Sequence, residues 1–197
     1  SCPEWRDEQL DCRRVDAAYH SLAAAAKAQV RSTELEKWHG KLFASSVPVT
    51  YYAGNIRRGN DLRRPCLAVD VQIGNPPVLG SRFEEVPAHM QGLNQSLAAL
   101  DALRSGWSGS EADLMKFVNR LSFAIGQFIR IHPFINGNGR ISRMLWDWGL
   151  LRFAKPPQVA IAPRPAEPYP SIMEACMRGD DMPLAVAIAV HLASSVP

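Results

Sequence analysis

Twelve residues, His132 to Arg143, have a composition that core packing does not explain: His-Pro-Phe-Ile-Asn-Gly-Asn-Gly-Arg-Ile-Ser-Arg. An imidazole, a Gly-Asn-Gly turn and two arginines are the parts of a site that handles a polyphosphate. Gly137, Asn138 and Gly139 tolerate positive φ, which lets successive backbone N–H groups point into one concavity. Arg140 and Arg143, three residues apart, share a helix face and can grip further anionic groups. In the first turn of a helix such cations oppose the macrodipole, so stability alone does not favour them. His132 can take a proton from an attacking hydroxyl at neutral pH. Each feature alone has a plainer reading: a helix-end histidine, a turn, and a solvated basic face with Asp147 as an i,i+4 partner for Arg143. Their coincidence favours a site.

The flanking sequence positions these groups. Leu114, Phe117, Val118, Leu121, Ile125, Phe128 and Ile129 recur at helical spacing and predict a buried helix that Pro133 stops just after His132. Ser110 is its expected N-cap, with Glu111 and Asp113 in the first turn. Ile141, Leu145 and Trp148 restart an apolar stripe, so the glycine loop feeds a helix N-terminus, where unpaired donors favour an anion.

Upstream, the stretch from about Glu8 to Val30 predicts a long helix. Ser32 or Thr33 with Glu36 predicts a capping box for a second helix bearing Leu35, Trp38, His39, Leu42 and Phe43, with His39 a packed structural residue. Val49–Tyr52 and Leu67–Ile73 are β-rich and predict the arms of a small hairpin. Its polar tip would carry Gly54, Gly59 and Asn60 among Arg57, Arg58, Arg63 and Arg64. Gly74 to Ser81 predicts a loop, Phe83 to Arg104 a helix, Ser105 to Gly109 a turn, and Pro156 to Pro170 a proline-rich loop. Two short helices follow around Ile172–Met177 and Leu184–Leu192. The fold class is mainly α with a small β-hairpin, in one domain over residues 1–197: N-terminal helices to 46, hairpin at 47–75, core helices at 83–155 and C-terminal helices from 156.

A length of 197 residues suits a single core, and 47% hydrophobic with 21% charged residues is an ordinary globular composition. A net charge of +3 is too mild to argue for nucleic acid, and the four arginines near residue 60 lack interleaved aromatics. No apolar run reaches spanning length. Cys2, Cys12, Cys66 and Cys176 have neither zinc-site spacing nor disulfide-scaffold density, which predicts reduced thiols and a cytoplasmic protein.

The segment from His132 to Arg143 resembles the signature of Fic-domain proteins, His-x-Phe-x-(Asp/Glu)-Gly-Asn-Gly-Arg-x-x-Arg. Asn136 stands where that family usually has Asp or Glu. The Doc branch carries Lys where this chain has Gly139. A looser likeness joins Gly54-Asn55-Ile56-Arg57 and Val71-Gln72-Ile73-Gly74 to the family's hairpin flap, and Tyr169 to Leu184 to the tail of its helical core.

The resemblance implies a Fic-type helical core and transfer of AMP from ATP to a Ser, Thr or Tyr hydroxyl of a target protein, with pyrophosphate released. It makes His132 the general base. Gly137, Asn138 and Gly139 would hold the α- and β-phosphates, Arg140 the leaving charge and Arg143 the γ-phosphate. Phe134 would anchor the loop in the core. Gly54, Asn55, Ile56 and Arg57 become the target-positioning flap, and Mg²⁺, or Mn²⁺, the accompanying metal with Asn136 as its weak ligand. Many Fic proteins carry a (Ser/Thr)-x-x-x-Glu-(Gly/Asn) inhibitory string. This chain has none, which points to a separate antitoxin-like partner or to no such restraint. A protein of this kind acts in the cytoplasm, its own or that of a cell into which it is delivered. Transfer of another nucleotide or a phosphoryl group, and nucleotide binding without turnover because of Asn136, stay open as alternatives.

Overall fold

The computed structural model describes residues 2–5, 12–59, 61–73 and 76–194. Asn60, Gly74 and the stretch from Glu8 to Asp11 lie outside the described residues, as does the side chain of Cys12. Among the described residues seven α-helices dominate: α1 (Cys12–Ala25), α2 (Ser32–Phe43), α3 (Val86–Ala102), α4 (Glu111–Ile131), α5 (Asn138–Arg152), α6 (Tyr169–Met177) and α7 (Met182–Ser194). None is long and apolar enough to cross a membrane.

The central helix is α4, which packs against α3, α5, α6 and α7. It starts as its sequence predicts: Ser110 Oγ accepts the Asp113 N–H at 3.3 Å, and Glu111 and Asp113 put negative charge at the positive end of the helix. Phe117, Val118, Leu121, Ile125, Phe128 and Ile129 form its buried face. Near its far end, the Arg130 guanidinium bonds both Asp181 carboxylate oxygens at 2.6 and 3.1 Å and also donates to Cys176 O at 2.9 Å. That fork ties α4 to the corner between α6 and α7.

The capping box expected for α2 does not form, because a tertiary partner takes its place. Arg31 is the N-cap and makes no side-chain cap. Asn94 of α3 accepts the Ser32 N–H at 2.7 Å and donates to Ser32 Oγ at 3.0 Å. One amide therefore satisfies a first-turn donor and docks α2 on α3.

The hairpin expected from Val49–Tyr52 and Leu67–Ile73 is also corrected. Thr50–Tyr52 and Pro65–Leu67 are single 3₁₀ turns, and the strands are β1 (Gln72–Ile73) and β2 (Val78–Leu79). They pair antiparallel, Gln72 opposite Leu79 and Ile73 opposite Val78, across what the sequence marks as loop. The apolar and aromatic residues that looked like strand are core instead: Tyr52 and Leu67 are buried, and Tyr52 stacks on Trp5. β-rich composition reports a fit to half-buried surface as much as backbone conformation.

Reduced thiols are not what the structure shows at Cys2 and Cys66, which form a disulfide across a sequence separation of 64. Linear spacing could not reveal that pair, since folding brings the two ends together. Cys176 is a buried free thiol whose pKa burial pushes up to about 12, so it is inert at neutral pH. Non-reducing peptide mapping should yield a crosslinked peptide containing Cys2 and Cys66. In urea unfolding, Cys2→Ser should lose about 2–4 kcal/mol, the usual effect of opening a long closed loop.

Candidate functional site

The loop after α4 is held by side chains and by backbone N–H groups from elsewhere in the chain. Five successive carbonyls run past the helix end, and each has a donor. Ile129 O faces His132 Nδ1 at 3.4 Å, and Arg130 O accepts the Ser81 N–H at 3.3 Å. Ile131 O and His132 O accept from Arg57 Nη2 and Nε, both at 2.9 Å, and Pro133 O accepts the Arg57 N–H at 2.7 Å. Arg57 also reaches Val69 O at 3.1 Å and Ser81 O at 2.8 Å. It is 0% exposed, and burial pulls its pKa down to about 10.

This clamp fixes His132 as the C-cap of α4 in a left-handed conformation, φ 50° and ψ 60°. A carbonyl can only accept, so Nδ1 carries the proton and Nε2 keeps its lone pair. Burial, and then the nearby Arg57 charge, lower the His132 pKa to about 4. At neutral pH it is an unprotonated base.

The rest of the loop is pinned by His39 and two asparagines. The Gly54 N–H donates to His39 Nδ1 at 2.9 Å, which leaves the proton on Nε2, and that nitrogen donates to Asn136 O at 3.0 Å. The His39 ring also stacks on Phe134 with centroids 3.9 Å apart. It is a packed histidine, as the sequence implies, and burial lowers its pKa to about 4. Gly137 has φ 79°, and a Cβ there would come within 2.4 Å of the Phe43 ring, so only glycine fits.

Asn136 uses both ends of its amide: Oδ1 accepts the Gly137 N–H at 2.6 Å, and Nδ2 donates to Trp5 O at 3.1 Å. Asn138 is buried, and its side chain bonds both backbone groups of Phe134, accepting at 3.0 Å and donating at 2.9 Å. Its side chain is therefore turned away from any ligand, and what it can offer a phosphate is its backbone N–H. Because α5 begins at Asn138, the N–H groups of Asn138 and Gly139 have no carbonyl four residues back within the helix.

Beside this loop lies a cleft of about 230 Å³ lined by His132, Asn136, Gly137, Gly139, Arg140 and Arg143. The structure thus gathers most of the sequence-predicted site residues around one space. The Arg140 guanidinium sits 5.6 Å from the Phe43 ring centroid. Arg143 does not pair with Asp147. Its Nε and Nη2 donate to Ile161 O at 3.0 and 2.6 Å, and it lies 5.7 Å from the Tyr169 ring centroid. Asp147 instead accepts the N–H groups of Gln158 and Val159 through Oδ1.

Gly54, Asn55, Ile56 and Arg57 are not brought to the cleft. Arg57 is the buried clamp described above, and Gly54 lies against α2, where a Cβ would approach Glu36 O to 3.1 Å and Gly40 Cα to 3.3 Å. Asn55 accepts from Arg58 and Arg64, and Ile56 is half-buried against the core. The β1–β2 hairpin is the element beside His132: a Cβ on Gly80, just past β2, would stand 3.2 Å from His132 Cβ.

The rest of the cleft lining was not legible as site. Ile129, Arg164, Tyr169, Met173 and Met177 complete the lining. Tyr169 is 7% exposed, and its buried hydroxyl has no hydrogen-bond partner among the described residues. Arg164 did leave a signal, as the lone charge between Lys155 and Glu167 in a proline-rich stretch.

Comparison with known proteins gives the family. The Fic/DOC family model matches residues 29–150. The chain belongs to the Fic/DOC family. Over 118 residues it is 33% identical to the protein adenylyltransferase Fic of Drosophila ananassae and 32% identical to that of Culex quinquefasciatus, matching 57% of this chain. The matches span 24% and 23% of those proteins, so the chain corresponds to about a quarter of their length. Among solved structures, a Fic domain-containing signaling protein from Bacteroides thetaiotaomicron superposes with a TM-score of 0.63 at 17% identity, over 92% of this chain and 66% of that one. The BepC protein of Bartonella tribocorum, solved with bound AMPPNP, gives 0.55 at 15% identity, over 89% and 84%. These likenesses establish the Fic helical fold.

The two depressed histidines make stability fall in acid. Their folded pKa values lie near 4, below the ordinary 6.5, so the unfolded chain binds protons first as pH drops. Stability is full above about pH 6.5 and is lost as pH falls towards 4. Asp147 opposes this: burial raises its pKa to about 6, and its contribution fades as pH rises through that value. Urea unfolding at pH 7, 6 and 5 should show a net loss, and His39→Gln should flatten it, the His39 window being worth on the order of 3 kcal/mol in all.

Proposed function

We propose that this Fic domain transfers AMP from ATP to a Ser, Thr or Tyr hydroxyl of another protein. The observation that carries the reading is the neutral His132, its proton on Nδ1, at the edge of a cleft that also holds a helix N-terminus and arginines. The hydroxyl oxygen attacks the α-phosphorus while His132 Nε2 takes its proton. The bond to the β-phosphate oxygen breaks, and pyrophosphate leaves with its charge met by Arg140 and Arg143. The amides of Asn138 and Gly139 hold the phosphates from the start of α5, so positioning and charge stabilisation carry the chemistry. The apolar side chains of Ile129, Met173 and Met177 line the same cleft and are available to the nucleobase.

The acceptor approaches along the β1–β2 hairpin, whose Leu79 is 55% exposed and is followed by Gly80 against His132. Main-chain pairing with such an edge registers a hydroxyl without demanding much sequence of the target. This reading gives the target-positioning role to Gln72–Ile73 and Val78–Leu79 in place of Gly54–Arg57. No described carboxylate meets Arg143, which is compatible with an acidic restraint from a separate, antitoxin-like protein and equally with no such restraint.

The family implies a divalent cation, Mg²⁺ or Mn²⁺. The residues present do not fit a protein-held one: Asn136 Oδ1 already accepts a short N–H bond, and among the described residues no group of three or more His, Cys, Asp or Glu could hold a metal ion. A cation that accompanies ATP is held by the phosphates, and no step above depends on it.

Incubation with α-labelled ATP and a host lysate should label protein, and His132→Ala should lower the rate at least about 100-fold. The acid limb of the rate should fall near pH 4, where His132 protonates, not near 6.5. Label arriving only from the γ-phosphate, or nucleotide binding with no transfer at all, would replace this reading with one of the two alternatives.

A further inference from the structure

A cleft that takes a polyphosphate must neutralise it, and the side chains here answer that need in an unusual way. The lining residues include no carboxylate. Asn136, at the position where the family usually carries an acid, has both ends of its amide committed, to Gly137 and to Trp5. An amide so engaged is a brace for the loop and the N-terminal segment, and a poor ligand for a hard cation.

Positive charge, in contrast, is in excess. Arg143 is 4% exposed, and the acceptor of its Nε and Nη2 is a neutral carbonyl, Ile161 O. A guanidinium this buried is costly unless an anion compensates it, and no described carboxylate does. Arg164 also lines the cleft and is exposed, with no ion pair to a described residue. Its loop is fixed in place: the Gln158 and Val159 N–H groups donate to Asp147 at 2.8 and 3.1 Å, and the Ile161 N–H donates to Tyr19 Oη at 3.2 Å. Arg143 therefore closes the loop by its grip on Ile161 O, and Arg164 is presented three residues further on.

We propose that Arg143 and Arg164 together supply the two positive charges that a divalent cation would otherwise bring, so that this cleft binds a nucleoside triphosphate without a bound metal, with Arg164 on the outer phosphates. Arg164 offers a planar fork suited to phosphate oxygens, and Arg143, with Nε and Nη2 on Ile161 O, offers its charge and Nη1. The proposal rests on the nucleotide reading above and adds to it a residue and an independence from metal.

The test is calorimetric binding of ATP to the wild type and to Arg164→Gln, each in excess EDTA and again in Mg²⁺. Arg164 is exposed and bonded to nothing described, so the variant should keep its circular dichroism and melting temperature. The expected result is a wild-type Kd in EDTA within about threefold of that in Mg²⁺, and binding about tenfold weaker for Arg164→Gln in EDTA. Loss of ATP binding in EDTA, or an Arg164→Gln affinity within about twofold of wild type, overturns the proposal while leaving the nucleotide reading intact. No ATP binding under either condition overturns both.

Discussion

A buried guanidinium organises this site. Helix ends leave carbonyls without partners, and α4 ends inside the protein, where water cannot satisfy them. Arg57 answers with Nε and Nη2 on His132 O and Ile131 O, its own N–H on Pro133 O, and further bonds to Val69 O and Ser81 O. One side chain thereby joins α4, the segment before β1 and the segment after β2. It also sets the electrostatics, since its charge helps keep the neighbouring imidazole neutral. The same residue thus holds His132 in position and adds to the burial that keeps it neutral.

The second half of the loop depends on a complementary device. His39 is fixed in one tautomer by a backbone donor on one side and a backbone acceptor on the other, while its face lies on Phe134. Asn138 bonds four residues back to Phe134 and Asn136 Oδ1 takes the next N–H, the local habit of asparagine that competes with regular structure, while Asn136 Nδ2 reaches Trp5 O. Between them these groups leave the loop little freedom, so the amides at the start of α5 are in place before any ligand arrives. Such preorganisation is what electrostatic stabilisation of a transferring phosphoryl group requires.

Much of this was legible in the sequence because it is encoded by short-range patterns. The apolar period of α4, its Ser110 cap, the stop at Pro133 and the glycine turn before α5 each follow from neighbours along the chain. Side chains whose partners lie far away were misread. Arg57 sat among three other arginines and looked solvated, yet its partners are carbonyls of residues 131 to 133. Tyr52 and Leu67 looked like strand and became core. Cys2 and Cys66 looked unpaired and are bonded. Arg143 had a plausible helical partner in Asp147, but Ile161 O and two loop amides took the two side chains separately. Asn136 was weighed only as a substitute ligand, because its bond to Trp5 spans most of the way back to the N-terminus.

The central claim is that His132 stands in the folded protein as a neutral imidazole, protonated on Nδ1, with Nε2 open to the cleft. The most direct measurement is ¹⁵N NMR of the histidine rings through a pH titration, with His132 assigned by comparison with His132→Ala. The account predicts a single Nδ1–H tautomer for His132 that stays neutral down to about pH 4. A His132 ring that titrates near 6.5, or one that carries its proton on Nε2, would contradict it.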